Sequence, residues 1–249
     1  MNINEIVQIP YSTAPKFTRC GGVEFKTYTQ DAYEQRLIEY NTLLGDMSFE
    51  SSLAEETKLV KKTSMAINLV DEPFIDIIDM GLEIPDDVII MHKGKVEAAF
   101  VAMASNWNPK SVNGKTLAEV HEPVADNEAL VRASDGIWRS MTSGNSFHRH
   151  VWGISPLKGL SNHPRHWPES FEVKSLQDLY FRIEHERTLT VDKDTAAFFI
   201  NVEVLPLQVV FDMHENNKNT IKDSINSMSE NVLAYKNLEE VKEMINGTT

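Results

Sequence analysis

The chain has 249 residues, and 41% of them are hydrophobic, which is enough to bury the core of one large domain or of two small ones. Its formal net charge of −13 argues against a nucleic-acid partner and against adsorption to anionic membranes, because both require clustered lysine and arginine. Cys20 is the only cysteine, so disulfides within the chain and metal sites built on several thiolates are excluded.

The sequence also indicates where the protein resides. No apolar run approaches the roughly 18 residues that are needed to span a bilayer. The first residues lack the basic and then apolar layout of a signal peptide. We therefore expect a cytoplasmic protein with no membrane partner and no nucleic-acid partner.

The first 84 residues are predicted to form a helical segment that packs on the rest of the chain. One helix is expected from the N-cap residue Asp31 to a stop at Gly45, because apolar residues recur there at helical spacing. A second helix is expected over residues 51–61, and helical character is expected to resume around residues 66–80 with an interruption at Pro73.

Residues 85–249 are predicted to form the core, in one globular unit with the first segment. A hairpin is expected over residues 88–103 around the turn Lys93-Gly94-Lys95, followed by helices over 117–120 and 128–142. The remaining expected elements are three strands and a helical tail, over residues 147–154, 179–189, 196–204 and 219–246. This order predicts an α+β fold, an antiparallel sheet with helices before, between and after it.

His121 is the first candidate for chemistry. It precedes Glu122-Pro123, where the backbone is biased away from helix, so we expect it just past the end of the short helix 117–120. A neutral imidazole at such a junction can serve as the axial ligand of haem iron. The alternative is a helix-terminating histidine that is hydrogen-bonded to the backbone.

The densest polar cluster is Phe147–Trp152. In a strand, His148, His150 and Trp152 share one face, and Arg149 lies on the other. Two histidines spaced in this way can chelate a metal with a carboxylate from elsewhere, so His148, His150 and Glu184 form a candidate non-haem site. The alternative is a polar strand end that is exposed to solvent.

The strand over residues 179–189 shows the same alternation. Arg182, Glu184 and Glu186 are expected on one face and His185 on the other. On a surface, an Arg182–Glu184 ion pair would contribute only ~0–1 kcal/mol. In a cavity, the arginine could instead hold a carboxylate such as a haem propionate, and Glu184 could accept a proton from an amine.

Motifs for other cofactors are missing from the sequence. It contains no Gly-x-Gly-x-x-Gly loop after a strand and no Gly-x-Ser-x-Gly elbow. A redox enzyme with this sequence must therefore receive its electrons from another polypeptide or from a small donor.

Four blocks of sequence recur, in the same order, in one known family. They are Ala104–Trp107 with Gly114–Val124, then Arg149–Ile154, then Arg182–Glu184 with Thr188-Leu189 and Thr195–Ile200, and finally Tyr235–Leu238. Through these blocks, the chain from about residue 85 to residue 245 resembles the α-subunit-like family of haem-dependent oxidative N-demethylases, which includes dimethylamine monooxygenase subunits.

The resemblance implies a PAS-like fold that holds haem b. It implies oxidation of a secondary or tertiary methylamine by O₂, with release of formaldehyde and with electrons from a separate flavin and iron–sulfur reductase. His121 is then the axial ligand of the iron, and His148 and His150 are the rival ligands.

The resemblance also assigns roles to other residues. Arg149 and Arg182 would anchor propionates or substrate, Glu184 would bind the substrate ammonium or take up its proton, and Trp107 and Trp152 would wall the pocket. His150 would border the same pocket.

The chain departs from the family pattern at two places. Val151 stands where the family has asparagine, and the third block needs an additional residue between Glu184 and Thr188, which implies a β-bulge or a switch of face. Without that insertion, His185 would take the carboxylate position, so it is a further catalytic candidate. These departures favour a second hypothesis, a PAS-like haem or small-molecule sensor without turnover, and the non-haem metal enzyme is the third.

Overall fold

The computed structural model describes residues 3–14, 16–26, 28–43, 45–68, 71–167 and 173–247. These residues form one seven-stranded antiparallel sheet with ten flanking α-helices, so the predicted α+β class is confirmed. The strands are β1 (Thr18–Cys20), β2 (Ser48–Glu50), β3 (Asp87–His92), β4 (Lys95–Phe100), β5 (Ser146–Ser155), β6 (Tyr180–Asp192) and β7 (Thr195–Pro206). The helices are α1 (Gln30–Leu43), α2 (Ser52–Thr57), α3 (Leu59–Ile67), α4 (Ile77–Glu83), α5 (Leu117–Val120), α6 (Glu128–Met141), α7 (Leu207–Asp212), α8 (Asn217–Asn226), α9 (Glu230–Tyr235) and α10 (Glu239–Gly247).

The sheet has the strand order β1-β5-β6-β7-β3-β4-β2. Its long strands β5, β6 and β7 are those expected over residues 147–154, 179–189 and 196–204. The register places Arg149 opposite Glu186 and Val151 opposite Glu184. Because side chains alternate along a strand, these residues share one sheet face.

The prediction of a β-bulge or a switch of face between Glu184 and Thr188 is wrong. The pairing of β5 with β6 runs unbroken from Phe147–Thr188 to Ser155–Tyr180. The register shift of β6 against β7 lies further along, between Thr190 and Asp192. No bulge is needed at 184–188 because this stretch alternates regularly between the two faces.

The β3–β4 hairpin is confirmed. Its turn residues Lys93 and Gly94 have φ angles of 49° and 81°. Positive φ at both central residues is the geometry whose twist matches that of the flanking strands. The glycine adopts it without the steric cost that a side chain would add.

The predictions for the helices before the hairpin are partly wrong. The first helix begins two residues earlier than expected, and Thr29 caps it by accepting from the backbone of Ala32, so Asp31 is not the N-cap. The expected helix 51–61 is divided at Lys58, whose φ of 54° cannot continue a helix. The helical character expected around residues 66–80 is found at the two ends of that range, in the last turn of α3 and in α4, which starts after its N-cap Asp76. Residues 69 and 70 lie outside the described residues.

The helical tail is also divided. Instead of one pattern over residues 219–246, the chain forms α8, α9 and α10, with Ser229 capping α9 by accepting from the backbone of Val232. These helices pack on Phe181 and Ile183 of β6, together with Ile3 near the start of the chain. The two ends of the chain therefore share one hydrophobic cluster.

Two short strands from the first 84 residues belong to the sheet, since β1 pairs with β5 and β2 pairs with β4. The division of the chain into segments 1–84 and 85–249 stays a prediction, as does the PAS-like character of the fold. Among the described residues, no helix combines the length and apolar character that crossing a membrane requires.

Candidate functional site

A cavity of about 490 Å³ lies against the face of β5 and β6 that carries Arg149 and Glu184. Its volume falls within the range of about 300–1,000 Å³ that is typical of small-molecule sites. One wall is apolar and is formed by residues of β3, β4, β7, α5 and α6, namely Ile89, Met91, Val96, Leu117, Val120, Leu130, Ile137, Met141, Phe198 and Ile200. The cavity is also lined by charged side chains of β5 and β6, which share the sheet face of Phe198 and Ile200. A ligand that is apolar in one part and ionic in another fits this lining.

His121 lines this cavity at the C-terminal end of α5. A capping box between Thr116 and Glu119 begins this one-turn helix, and His121 ends it. The Nδ1 atom of His121 lies 2.7 Å from the carbonyl oxygen of Leu117. A carbonyl can only accept, so Nδ1 carries the proton and Nε2 keeps its lone pair.

The imidazole of His121 is neutral at neutral pH. Burial lowers its pKa from 6.5, the hydrogen bond to Leu117 opposes this, and the charge of Arg149 lowers the pKa further. The helix-terminating hydrogen bond that sequence analysis considered is therefore present. This bond engages only Nδ1, so Nε2 remains available for a metal. Histidines that bind metals commonly hold their other ring nitrogen in such a bond.

Arg182 is fully engaged by the protein. Its Nε donates to the hydroxyl of Ser105 at 2.7 Å, and its two terminal nitrogens donate to the carbonyl oxygens of Leu160 and Met103. Ser105 in turn donates to Glu184. Arg182 and Ser105 therefore hold the Glu184 carboxylate in place at the cavity wall, and little of this guanidinium is left for a ligand.

Arg149 and Glu186 form a second ion pair in the cavity wall. The Nε of Arg149 donates to the Glu186 carboxylate, and the guanidinium lies 5.1 Å from the centroid of the Phe17 ring. Burial raises the pKa of Glu186, and the charge of Arg149 opposes this shift. Arg149 lines the cavity next to Glu184, as the alternation of β5 and β6 requires.

Lys236 is a cavity residue to which sequence analysis assigned no role. Its Nζ donates to the carbonyl oxygen of Trp152 at 2.9 Å and lies 5.5 Å from the ring centroid of Tyr11. Burial lowers the pKa of Lys236, and the charge of Glu184 opposes this. The sequence did point to this residue, because Lys236 belongs to the fourth of the blocks that resemble the family.

Tyr11 also lines the cavity, although it belongs to none of the sequence motifs. Burial raises its pKa to about 12, Tyr235 adds to this rise, and Arg149 opposes it. Tyr235 lines the cavity as well. Ser105 lies in the first sequence block, and strand alternation placed Glu186 on the face of Glu184. Neither residue had an assigned role.

Both predicted tryptophans line the cavity. Trp107 packs against the hydrophobic cluster that contains Leu130 and Ile137 of α6. Trp152 is buried against Phe181, with ring centroids 5.6 Å apart and 22° between the ring planes. Their role in enclosing a ligand stays a prediction.

The candidate non-haem site is wrong. His148 and His150 share the sheet face with His185, while Glu184 projects to the opposite face. In the part of the chain that the structure describes, no group of three or more histidine, cysteine, aspartate or glutamate residues is arranged to hold a metal ion.

The register of β5 and β6 also places His185 on the sheet face opposite to that of Glu184. It is not among the cavity residues, whereas Glu184 is. His150 borders the cavity, but its ring contacts those of His148 and His185 on the other face. Of the three histidines considered for the iron, His121 is therefore the one whose ring is held at the cavity.

The model of one protein family matches residues 46–246, which is more than half of the chain. This family is described as haem-dependent oxidative N-demethylase, alpha subunit-like. The matched range includes the cavity residues discussed above except Tyr11 and Phe17. No curated protein matches the chain.

Proposed function

Because this chain belongs to the haem-dependent oxidative N-demethylase, alpha subunit-like family, we propose that it binds haem b in the cavity described above. We propose further that it demethylates a secondary or tertiary methylamine with O₂ in the cytoplasm and releases formaldehyde. One observation carries the proposal: His121 lines the cavity and is hydrogen-bonded through Nδ1, which leaves Nε2 with its lone pair.

The residues around the cavity fit a porphyrin. The apolar wall suits the macrocycle, and His121 offers a neutral nitrogen of the kind that binds haem iron. Arg149 and Lys236 line the same cavity and would hold the propionates. Arg182 is less suited to that task, because Ser105 and two carbonyl groups already occupy its guanidinium.

When bound, haem supplies the activation of O₂ and the oxidation of the N-methyl group, and the protein supplies binding and orientation. Glu184 binds the ammonium of the substrate or takes up its proton, since Ser105 and Arg182 hold its carboxylate at the cavity. Trp107 and Trp152 limit the space around the methyl group and exclude water.

We propose that the electrons come from a separate flavin and iron–sulfur reductase. This sequence contains one cysteine and no dinucleotide-binding glycine motif, and these absences support the proposal.

A second candidate function is a haem or small-molecule sensor without turnover. Val151 favours it, because this residue stands directly opposite Glu184 in the sheet and replaces a polar asparagine of the family pattern by an apolar side chain.

The test uses the full chain produced with haem supplied. It should show a Soret band and, with dimethylamine or trimethylamine, O₂ and a photoreduced flavin as electron donor, form formaldehyde and the demethylated amine in equal amounts. A primary amine without an N-methyl group is the control and should yield no formaldehyde. A Soret band with no formaldehyde from any methylamine would favour the sensor. A colourless protein that takes up no hemin would contradict both functions.

A further inference from the structure

A pair of histidines faces away from the cavity, on the other side of the sheet. His150 of β5 and His185 of β6 are direct partners in the register. Their Nδ1 atoms lie 3.1 Å apart, with ring centroids at 4.9 Å and 85° between the ring planes. The Nε2 atom of His185 lies 3.3 Å from a carboxylate oxygen of Glu203 on β7.

The carboxylate determines which nitrogen of His185 is free. Glu203 accepts a hydrogen bond from Nε2 of His185, and this bond lowers the pKa of Glu203. With its proton on Nε2, the neutral ring of His185 presents a lone pair at Nδ1. Burial lowers the pKa of His150, and the neighbouring His185 and His148 lower it further. A hydrogen bond between the two Nδ1 atoms places one proton between them.

We propose that His150 and His185 form a binding site for a divalent transition-metal ion such as Zn²⁺, Cu²⁺ or Ni²⁺, which replaces the shared proton. Metal–imidazole bonds of about 2.0–2.1 Å with angles of about 90–109° place two ligating nitrogens roughly 2.9–3.4 Å apart. The observed 3.1 Å lies within this range. Imidazole nitrogens select such ions over Mg²⁺ and Ca²⁺, which prefer oxygen ligands.

Glu203 is the supporting residue of this site. Histidines that bind metals commonly donate their second ring nitrogen to a carboxylate, which orients the ring and raises its basicity. Glu203 stands in that relation to His185. Lys26 also contacts Glu203, with its Nζ 3.5 Å from the carboxylate, but its side chain is 51% exposed and can turn into solvent.

The site offers two protein nitrogens, and water completes the coordination. His148 is the next imidazole on this face, with its ring centroid 5.7 Å from that of His150. No third ligand among the described residues is already in position, as noted above. The side chain of His185 is 20% exposed, so solvent reaches it. An exchangeable ion is expected, attracted by the net charge of −13.

A bound ion would link the two strands that present Arg149 and Glu184 to the cavity on their opposite face. The proposal does not depend on haem. It can therefore be tested on the full chain without haem, and its failure would leave the proposed function unaffected.

The test measures Zn²⁺ binding to the full chain without an affinity tag, by competition with a chromogenic chelator. Cys20→Ser serves as the background in all proteins, because a free thiol also binds zinc. One Zn²⁺ per chain is expected. His150→Ala and His185→Ala should each weaken binding at least about tenfold, and Glu203→Gln should weaken it by about tenfold, the lower end of the effect of such supporting groups.

His214→Ala is the matched control, since His214 lies away from the pair and accepts from the backbone of Asn216. Its affinity should stay within about twofold of the background protein, and Mg²⁺ should not compete. Binding should also weaken as the pH falls, because the ion displaces a proton. Unchanged affinity in both histidine variants, with circular dichroism showing that they are folded, would overturn the proposal. So would an equal loss in His214→Ala.

Discussion

The Nδ1–H group of His121 donates to the carbonyl oxygen of Leu117 across 2.7 Å. This bond joins the two ends of one helical turn, so the ring is oriented by the same residues that form α5. It removes Nδ1 as a ligand and leaves Nε2. The His150–His185 pair is arranged in the opposite way, with Nδ1 as the facing atom in both rings.

The first prediction concerns the axial ligand. His121→Gly should abolish the Soret band on titration with hemin, because the cavity loses its coordinating nitrogen. Imidazole added to the solution should restore the band, which separates loss of the ligand from loss of the fold. His150→Ala, the rival ligand, should bind hemin as the parent does. A band that persists in His121→Gly and disappears in His150→Ala would reverse the assignment.

The second prediction concerns stability and pH. Burial lowers the pKa of His121 below 6.5, so the unfolded chain binds this proton more readily than the folded chain. The contribution of His121 to the free energy of unfolding is therefore complete above about pH 6.5 and is lost as the pH falls through the folded-state pKa. His150 and His163, whose pKa values burial also lowers, act in the same direction.

This prediction can be measured by urea unfolding of the haem-free chain between about pH 7.5 and about pH 5.5. His121→Gln should lose less stability than the parent over that interval, because the variant lacks one titrating group. The buried carboxyl groups with raised pKa values change the free energy of unfolding in the opposite direction. They are the same in both proteins, so their effect cancels in the comparison. Parallel curves for parent and variant would contradict the pKa shift of His121.

The third prediction concerns the amine. Glu184→Gln should raise KM for the methylamine about 10–100-fold, since a charge-assisted hydrogen bond contributes about 1.5–3 kcal/mol. Haem content should be unchanged, because Glu184 is not an iron ligand in this proposal. Glu184→Asp keeps the charge and should recover part of the affinity. Equal KM values for Glu184→Gln and the parent would remove Glu184 from substrate binding.

The fourth prediction concerns the Arg149–Glu186 pair. Glu186→Ala should lower the free energy of unfolding by about 3 kcal/mol, because it leaves a largely buried arginine without its counter-charge. Replacing both residues, Arg149→Met with Glu186→Leu, should cost less than that single change, since no unpaired charge remains. Urea denaturation of the three proteins provides the comparison. A double variant that is as unstable as Glu186→Ala would indicate that the cost lies in lost packing.

The fifth prediction compares two glycines in helices. A Cβ on Gly81 of α4 would lie 2.1 Å from the Phe100 ring, which is fully buried, so Gly81→Ala should destabilise the fold by about 1–3 kcal/mol or more. A Cβ on Gly136 of α6 would meet its nearest neighbour, a nitrogen of the flexible Arg139 side chain, only at 3.9 Å. Gly136→Ala should therefore stabilise by about 0.5–1 kcal/mol through helix propensity. Thermal unfolding should show shifts of opposite sign.

Much of the local structure follows from the sequence alone. The strand-like runs over residues 147–154, 179–189 and 196–204 predicted β5, β6 and β7, and the Lys93-Gly94-Lys95 turn predicted the β3–β4 hairpin. Strand alternation predicted that Arg182 and Glu184 share a face, and they do. These features depend on residues that are near one another in the chain, so a short window of sequence contains their cause.

Tertiary structure decided which residues form the cavity. The register of β5 against β6 turned Glu184 away from His150, which no single strand could reveal. Tyr11 and Lys236 meet at 5.5 Å although they lie near opposite ends of the chain. Such contacts depend on the packing of the whole core, because strand register and helix position are set by the burial of many distant side chains at once. The sequence determined the elements and the chemistry that each face can offer, and only the packed fold decided which faces meet.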